Sequence, residues 1–235
     1  PTTSSAASDV YKRQVISIVS GLLSLIATTV AIGNDSAGPT PIIESTTSQI
    51  MAIVGEAPEY FDTDPDRFYN EIGAVLDETI DWRGFAKGVM GDYASNARYR
   101  SLDDAGRKAL REQLQTFTDV MKSGLIRTYA KGLLAFSGSK FEIVDDETID
   151  PKARSASITQ LVYGSGDRTY TVRYQMGRSR DGSWRLRNLI VADINLGQIY
   201  QNQFAAAAKS ADGDVAKVVA EWDISANLPE DLDSE

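Results

Sequence analysis

The chain of 235 residues contains no histidine and no cysteine. Without histidine it lacks the side chain that most often moves protons near neutral pH, and also the commonest metal ligand. Ser-His-Asp and Cys-His catalytic arrangements are therefore excluded. Without cysteine there is no thiolate nucleophile, disulfide, iron–sulfur cluster or thiolate-bound zinc. This absence suits a reducing and an oxidising compartment equally. No Gly-x-x-x-x-Gly-Lys sequence occurs, which excludes nucleotide hydrolysis by a P-loop. No repeat of solenoid period is present. Basic residues are the scarcer charge, 24 against 33 acidic, for a formal net charge of −9. The cation excess that non-specific nucleic-acid binding needs is missing, so no nucleic-acid partner is expected. Passive adhesion to an anionic membrane through a broad basic face is equally disfavoured. Any membrane encounter should run through a protein partner or a local patch.

What is present is an ordinary globular composition, 42% hydrophobic and 24% charged. Near the front, Lys12 and Arg13 precede a 16-residue apolar run, VISIVSGLLSLIATTV, over 15–30. A basic flank, a short apolar core and then small residues form the pattern of a secretory signal peptide. The run is shorter than the roughly 18 apolar residues expected of a membrane span. Thr29-Val30-Ala31 places cleavage after Ala31. Residues 1–14 have no initiator Met and are expected to be a non-native leader. The expected organisation is a signal segment over 1–31, a flexible lead-in over 32–43, one domain over 44–223 and an acidic tail over 224–235.

The first half of the mature chain has helical periodicity. Ser45 to Glu56 carries Ile50, Ile53 and Val54 at helical spacing. Asp64-Pro65 supplies a cap and a proline at the first helical position, opening a helix with Phe68, Ile72, Val75 and Leu76 on one stripe. A third helix is expected from Asp81 to Ala97, with Phe85, Val89 and Tyr93 on one face. Ser101-Leu102-Asp103-Asp104 resembles a capping start. The helical segment that follows runs to about Leu134, on a stripe of Leu110, Leu114, Phe117, Met121, Leu125, Tyr129 and Leu133, with a bend expected at Gly124.

The period then changes from helix to strand. Tyr170, Val172, Tyr174 and Met176 alternate with Thr171, Arg173 and Gln175, the strictest strand pattern in the chain. Ala153 to Tyr163 and Trp184 to Ala192 alternate less strictly, and Phe141 to Val144 is a shorter candidate. Turn-forming links at Gly164-Ser165-Gly166-Asp167 and Arg180-Asp181-Gly182-Ser183 make neighbouring strands antiparallel. The expectation is an α+β fold: helices covering a curved four-stranded antiparallel meander, with two closing helices at about 195–209 and 213–222. Such a sheet encloses a cone between the layers.

Several motifs with chemical meaning have a competing structural reading. Asp62-Thr63-Asp64-Pro65-Asp66 suggests a calcium loop, but Arg67 stands where the turn needs Gly and Gly73 where a bidentate Glu is needed. Helix capping is the better reading, and no metal site is expected. Gly164-Ser165-Gly166 lacks a third glycine and precedes a strand, so it is a hairpin turn. Asp145-Asp146-Glu147 reads as a solvated charge run rather than an acid–base pair. Asp81 and Asp193, beside apolar segments, are of more interest. The aromatic and methionine positions fit an ordinary core or an adaptable apolar pocket, since Met repacks easily and Tyr adds a polar tip.

Two stretches resemble a known family. DWRGFAKGVMGDYASNA (81–97) with LIRTYAKGLLAF (125–136) forms the first; YTVRYQM (170–176) with GSWRLRNLIVADINLGQIYQNQF (182–204) forms the second. Together they look like the periplasmic phospholipid-binding subunit of the Mla lipid-transport system, the toluene-tolerance or MlaC family. The most specific residues are Val89-Met90-Gly91, Arg127-Thr128-Tyr129 and Asn202-Gln203-Phe204. The resemblance implies a nuclear-transport-factor-2-like (NTF2-like) fold with a deep apolar pocket. It also implies a soluble carrier in the periplasm of a Gram-negative bacterium, without cofactor or catalytic residue. Its implied partners are phospholipid, an inner-membrane ABC transporter complex and an outer-membrane lipoprotein complex. The expected lining is Val89, Met90, Tyr93, Phe117, Leu125, Tyr129, Leu133, Tyr170, Val172, Tyr174 and Met176. Asn188 stands where the family usually has an acidic residue, Ala192-Asp193 replaces a Glu-Gly-like pair, and Gln201 replaces an arginine. These departures bear on headgroup preference and partner surface, not on fold. A carrier of hopanoid or another polycyclic lipid, an NTF2-like isomerase or dehydratase, and a non-binding interaction domain are the competing readings.

Overall fold

The computed structural model describes residues 38–144, 149–150, 152–164 and 168–224. The expected leader and signal segment, the 145–147 acidic run and all of the tail after Ile224 lie outside them. Among the described residues, seven α-helices and five strands follow in order. They are α1 (Pro39–Glu56), α2 (Pro65–Thr79), α3 (Trp82–Met90), α4 (Asn96–Ser101) and α5 (Asp104–Tyr129). Then come β1 (Lys140–Ile143), β2 (Ser155–Tyr163), β3 (Thr169–Arg178), β4 (Trp184–Val191) and β5 (Ile194–Asn195), closed by α6 (Leu196–Ser210) and α7 (Val215–Ala220). Short 3-10 turns occupy Ala57–Glu59, Gly91–Ala94 and Ala130–Phe136.

Local chemistry fixes most helix starts. Asp64, Asp81, Ser95, Asp103, Asn195 and Asp214 each accept a hydrogen bond from the amide three residues on. Each such cap satisfies an amide that has no intrahelical partner and is worth about 1 kcal/mol. In α1, prolines occupy the first turn instead. That helix begins at Pro39, six residues ahead of the expected start. Residues 39–43 of the expected flexible lead-in are therefore helical, and Ile43 is buried.

The helix expected to continue from Asp81 to Ala97 stops at Met90. Gly91 adopts φ +53° and ψ −125°, a conformation that side chains resist, and α4 restarts at a separate Ser95 cap. The long segment is α-helical only to Tyr129 and tightens to 3-10 geometry from Ala130. Gly124 lies within α5 and makes room for Ile224, whose side chain would collide with any added Cβ. Ile224 is itself buried, so the folded part extends one residue into the expected acidic tail.

The sheet is an antiparallel meander in the order β1-β2-β3-β4-β5. It has five strands, not the expected four. The additional one is the two-residue β5, joined to β4 by a tight turn in which Ala192 (φ 47°) and Asp193 (φ 70°) both adopt left-handed backbone. Beyond the reach of β5, the edge of β4 is covered by the α2–α3 junction. There Ile80 bridges Leu186, and the Asp81 amide donates to the Leu186 carbonyl at 2.9 Å.

Three apolar clusters hold the layers. The largest joins α3, α5, α6 and α7 around Phe117, Met121, Tyr200 and Phe204. A second joins α1, α2 and the end of α5 around Val54, Phe68, Ile72 and Ile126. The third seats Ile43 of α1 on Ile158, Met176, Trp184 and Leu186 of the sheet. No helix among the described residues is long and apolar enough to cross a membrane.

Candidate functional site

Alternation decides which side chains face the helices. Residues directly opposite in an antiparallel ladder share a face. The register aligns Ile158 with Tyr174 and Leu189, Gln160 with Val172 and Val191, and Val162 with Tyr170 and Phe141. Between Gln175 and Met176 the ladder slips: Met176 pairs with Leu186 and Gln175 with Asn188, so Arg187 is an extra residue. This bulge keeps Leu186 and Leu189 on the same face although they are three apart. Arg187 lies across Gly177 and pairs with Asp81 at 3.3 Å.

The inner face is sealed under α1 and along β2, and only half-covered toward the far ends of β3 and β4. Under α1, Ile158, Met176, Trp184 and Leu186 are buried. Toward the far end of β3 and β4, Tyr170, Val172, Leu189 and Val191 remain half-buried, as does Phe141 on β1. These are inner-face positions that the helices leave partly uncovered. Phe136 closes edge-on to Tyr170, with ring centroids 5.8 Å apart.

Polar groups on this face are few and paired. Gln160 is buried; its amide donates to Thr47 Oγ1 at 3.2 Å, and its carbonyl accepts from the Tyr174 hydroxyl at 2.8 Å. Burial pushes the Tyr174 phenol well above its ordinary pKa. At the helical side, the Tyr129 and Tyr200 hydroxyls meet at 2.8 Å. Burial first, and then that bond, push the Tyr200 phenol up as well.

The eleven expected lining residues do not converge on one surface. Tyr170, Val172, Tyr174 and Met176 share the inner face of β3, Met176 at its sealed end. Val89, Met90 and Phe117 are buried in the helical cluster, and Tyr93 and Leu125 pack against it. There Phe117 meets Phe204 at 5.0 Å and Trp222 at 5.4 Å. Leu133 packs against the second cluster, and Tyr129 holds Tyr200. Gln160, Leu189, Val191, Phe136 and Phe141 were not expected. Gln160 follows from continuing the Ile158-x-Gln160-x-Val162 alternation. Leu189 and Val191 were concealed by the bulge.

The noted departures have structural roles. Asn188 accepts from the Gly197 amide at 2.9 Å and donates to Asn195 at 2.9 Å and Gln175 at 2.7 Å, tying β4 to the start of α6. Gln201 donates to the Gly88 carbonyl at 3.0 Å, joining α6 to the last turn of α3. Asp81 caps α3 through the Gly84 amide at 2.8 Å besides holding Arg187. Asp193 is exposed in its turn.

A separate groove of about 330 Å³ opens between Tyr69, Gly73 and Asp77 of α2 and Lys122, Ile126 and Arg127 of α5. None of the eleven residues lines it. A 2.6 Å Lys122–Asp77 ion pair stands at its wall.

Known proteins of the same build place this arrangement. The toluene tolerance protein ttg2D of Pseudomonas putida is 28% identical over 202 residues, spanning 86% of this chain and 87% of the relative. The solved phospholipid-binding protein of Ralstonia solanacearum, in complex with a phospholipid, superposes with a TM-score of 0.65 at 18% identity. That match covers 78% of this chain and 94% of the other. The family model described as MlaC protein matches residues 44–223, and the chain is a member of that family.

Proposed function

We propose that this protein is a non-enzymatic phospholipid carrier. In this reading the acyl chains lie along the open end of the sheet's inner face, and the protein shuttles through the periplasm between outer-membrane and inner-membrane complexes of Mla type. The observation that carries the proposal is the run of half-buried apolar side chains at Tyr170, Val172, Leu189 and Val191. The bound phospholipid of the Ralstonia protein supports the same reading. The sheet and its helices then act as an NTF2-like cone, narrow beneath α1 and wide at Phe136, and loading moves the 130–136 segment away from β3.

The energetics suit this task. Each buried methylene is worth about 0.8 kcal/mol, so the roughly 30 methylenes of a phospholipid represent on the order of 20 kcal/mol of exposure to avoid. An apolar wall supplies that shelter without headgroup chemistry. The polar groups present argue against catalysis. Gln160 does not titrate, Asp81 is occupied as cap and ion pair, and burial holds the Tyr174 phenol protonated. Neither Gln160 nor the protonated Tyr174 can take up a proton near neutral pH.

Protein purified gently from an envelope extract should carry phospholipid in native mass spectrometry. Val172→Asp should abolish loading while the fold is retained by circular dichroism. Finding only empty wild-type protein would count against the carrier, and normal loading of Val172→Asp would move the site elsewhere. Extraction yielding a polycyclic lipid instead would favour the hopanoid reading.

A further inference from the structure

Residues 83–112 carry seven basic and four acidic side chains, a formal +3 within a chain of −9. The other 205 residues therefore sum to −12. The fold gathers these cations around α4. Arg107, from α5, donates to the carbonyls of Tyr99 at 3.1 Å and Arg100 at 3.2 Å, and stands 5.6 Å from the centre of the Tyr99 ring. Arg111, one turn later, donates to the Tyr99 hydroxyl at 2.6 Å. Lys87 of α3 reaches Asn96 at the foot of α4 at 2.7 Å, and Arg83 reaches Gln115 on α5 at 3.4 Å. Arg107 has Asp104 at 3.5 Å and Lys108 has Glu112 at 3.8 Å. Among the described residues, Arg83, Lys87, Arg98, Arg100 and Arg111 have no ion-pair partner. Arg98 and Arg100 are exposed on either side of Tyr99.

We propose that this α4 face is a docking surface for a carboxylate-rich face of a protein partner. The proposal deepens the carrier reading and rests on it for the partner's place: a membrane complex with which lipid is exchanged. Five of the seven cations are arginines. Their planar forks pair with carboxylates in two-point geometry, and two of them are held in place by Tyr99. Arginine and tyrosine are enriched at protein interfaces, where lysine is depleted. An anionic bilayer fits less well. The patch offers it no large apolar side chain to insert; among the described residues the large exposed one is Val144, after β1.

The test uses the full chain with Arg98→Glu and Arg100→Glu combined. Both side chains are exposed and without ion-pair partners, so the melting temperature and co-purifying phospholipid should match wild type. The probes are purified inner-membrane and outer-membrane Mla-type complexes of the same bacterium in nanodiscs, alongside protein-free phosphatidylglycerol vesicles. Binding to at least one complex should weaken about ten-fold or more at low salt, with a shallower dependence on ionic strength. Wild-type affinity for both complexes, or a loss confined to the vesicles, overturns the proposal. If the protein holds no lipid yet still binds a complex through Arg98 and Arg100, the carrier reading fails and the docking surface stands.

Discussion

Glu71 shows how a single side chain is committed to structure. It accepts from Arg67 Nε at 2.8 Å and from the Tyr60 hydroxyl at 2.8 Å, while the Arg67 guanidinium lies 4.0 Å over the Tyr60 ring. The Arg67 bond first, and the Tyr60 bond second, hold its carboxyl below the ordinary value of 4.5. A carboxyl depressed in the folded state contributes stability that is complete above its unfolded pKa and is lost as pH falls through the folded one. Glu71→Gln should therefore lower the melting temperature near neutral pH and converge with wild type as pH falls below 4.5 and through the lowered folded value, the loss discounted for partial exposure. Parallel offsets at every pH, read by thermal melts, would remove Glu71 from the acid response. Its partner Tyr60 is raised to about 12, by burial and then by the Glu71 bond, and stays a neutral donor throughout that range. The same scale shows what one sequence leaves hidden. Asp64 announces its cap through the proline that follows. Asn188, by contrast, acquires its role only when β4 brings it beside Gly197, nine positions away in the chain.

Among elements, the helix stripes and the strict alternation of β3 were legible because each is written within one segment. The breaks were harder to see. Gly91 is one glycine in an otherwise helical stretch, and nothing local shows that its φ must be positive. β5 is too short to display a period. The bulge at Arg187 changes the parity of inward positions from even, at Trp184 and Leu186, to odd, at Leu189 and Val191. A period-two pattern therefore loses phase halfway along β4. The eleven expected lining residues share helix and strand stripes, and a stripe cannot say which of several interiors it enters. This is why five of them lie in or against the helical cluster. That cluster reaches past α7 through Ile224, which fills the space left by Gly124 on α5. Gly124→Ala should overpack this contact and cost about 1–3 kcal/mol in urea unfolding. Combining it with Ile224→Ala should cost less than the two single changes added together. Additive losses would mean that the glycine serves the helix backbone rather than the packing.

At the scale of the whole molecule, the carrier reading makes stability depend on cargo. A ligand that binds only the folded state at a hundredfold excess over Kd adds about 2.7 kcal/mol. For a domain of this size that is a rise of roughly 5–10 °C. Delipidated protein should melt lower by such an amount and recover when phospholipid is returned. Identical melting curves, with and without lipid, would show that the open end takes up nothing. Ile43 packs on Ile158, Met176, Trp184 and Leu186, so in the proposed carrier an acyl tail has only the other end of the inner face to enter by. Under that proposal a tail that slides in must back out along its own track, and donor and acceptor would take turns at the same threshold.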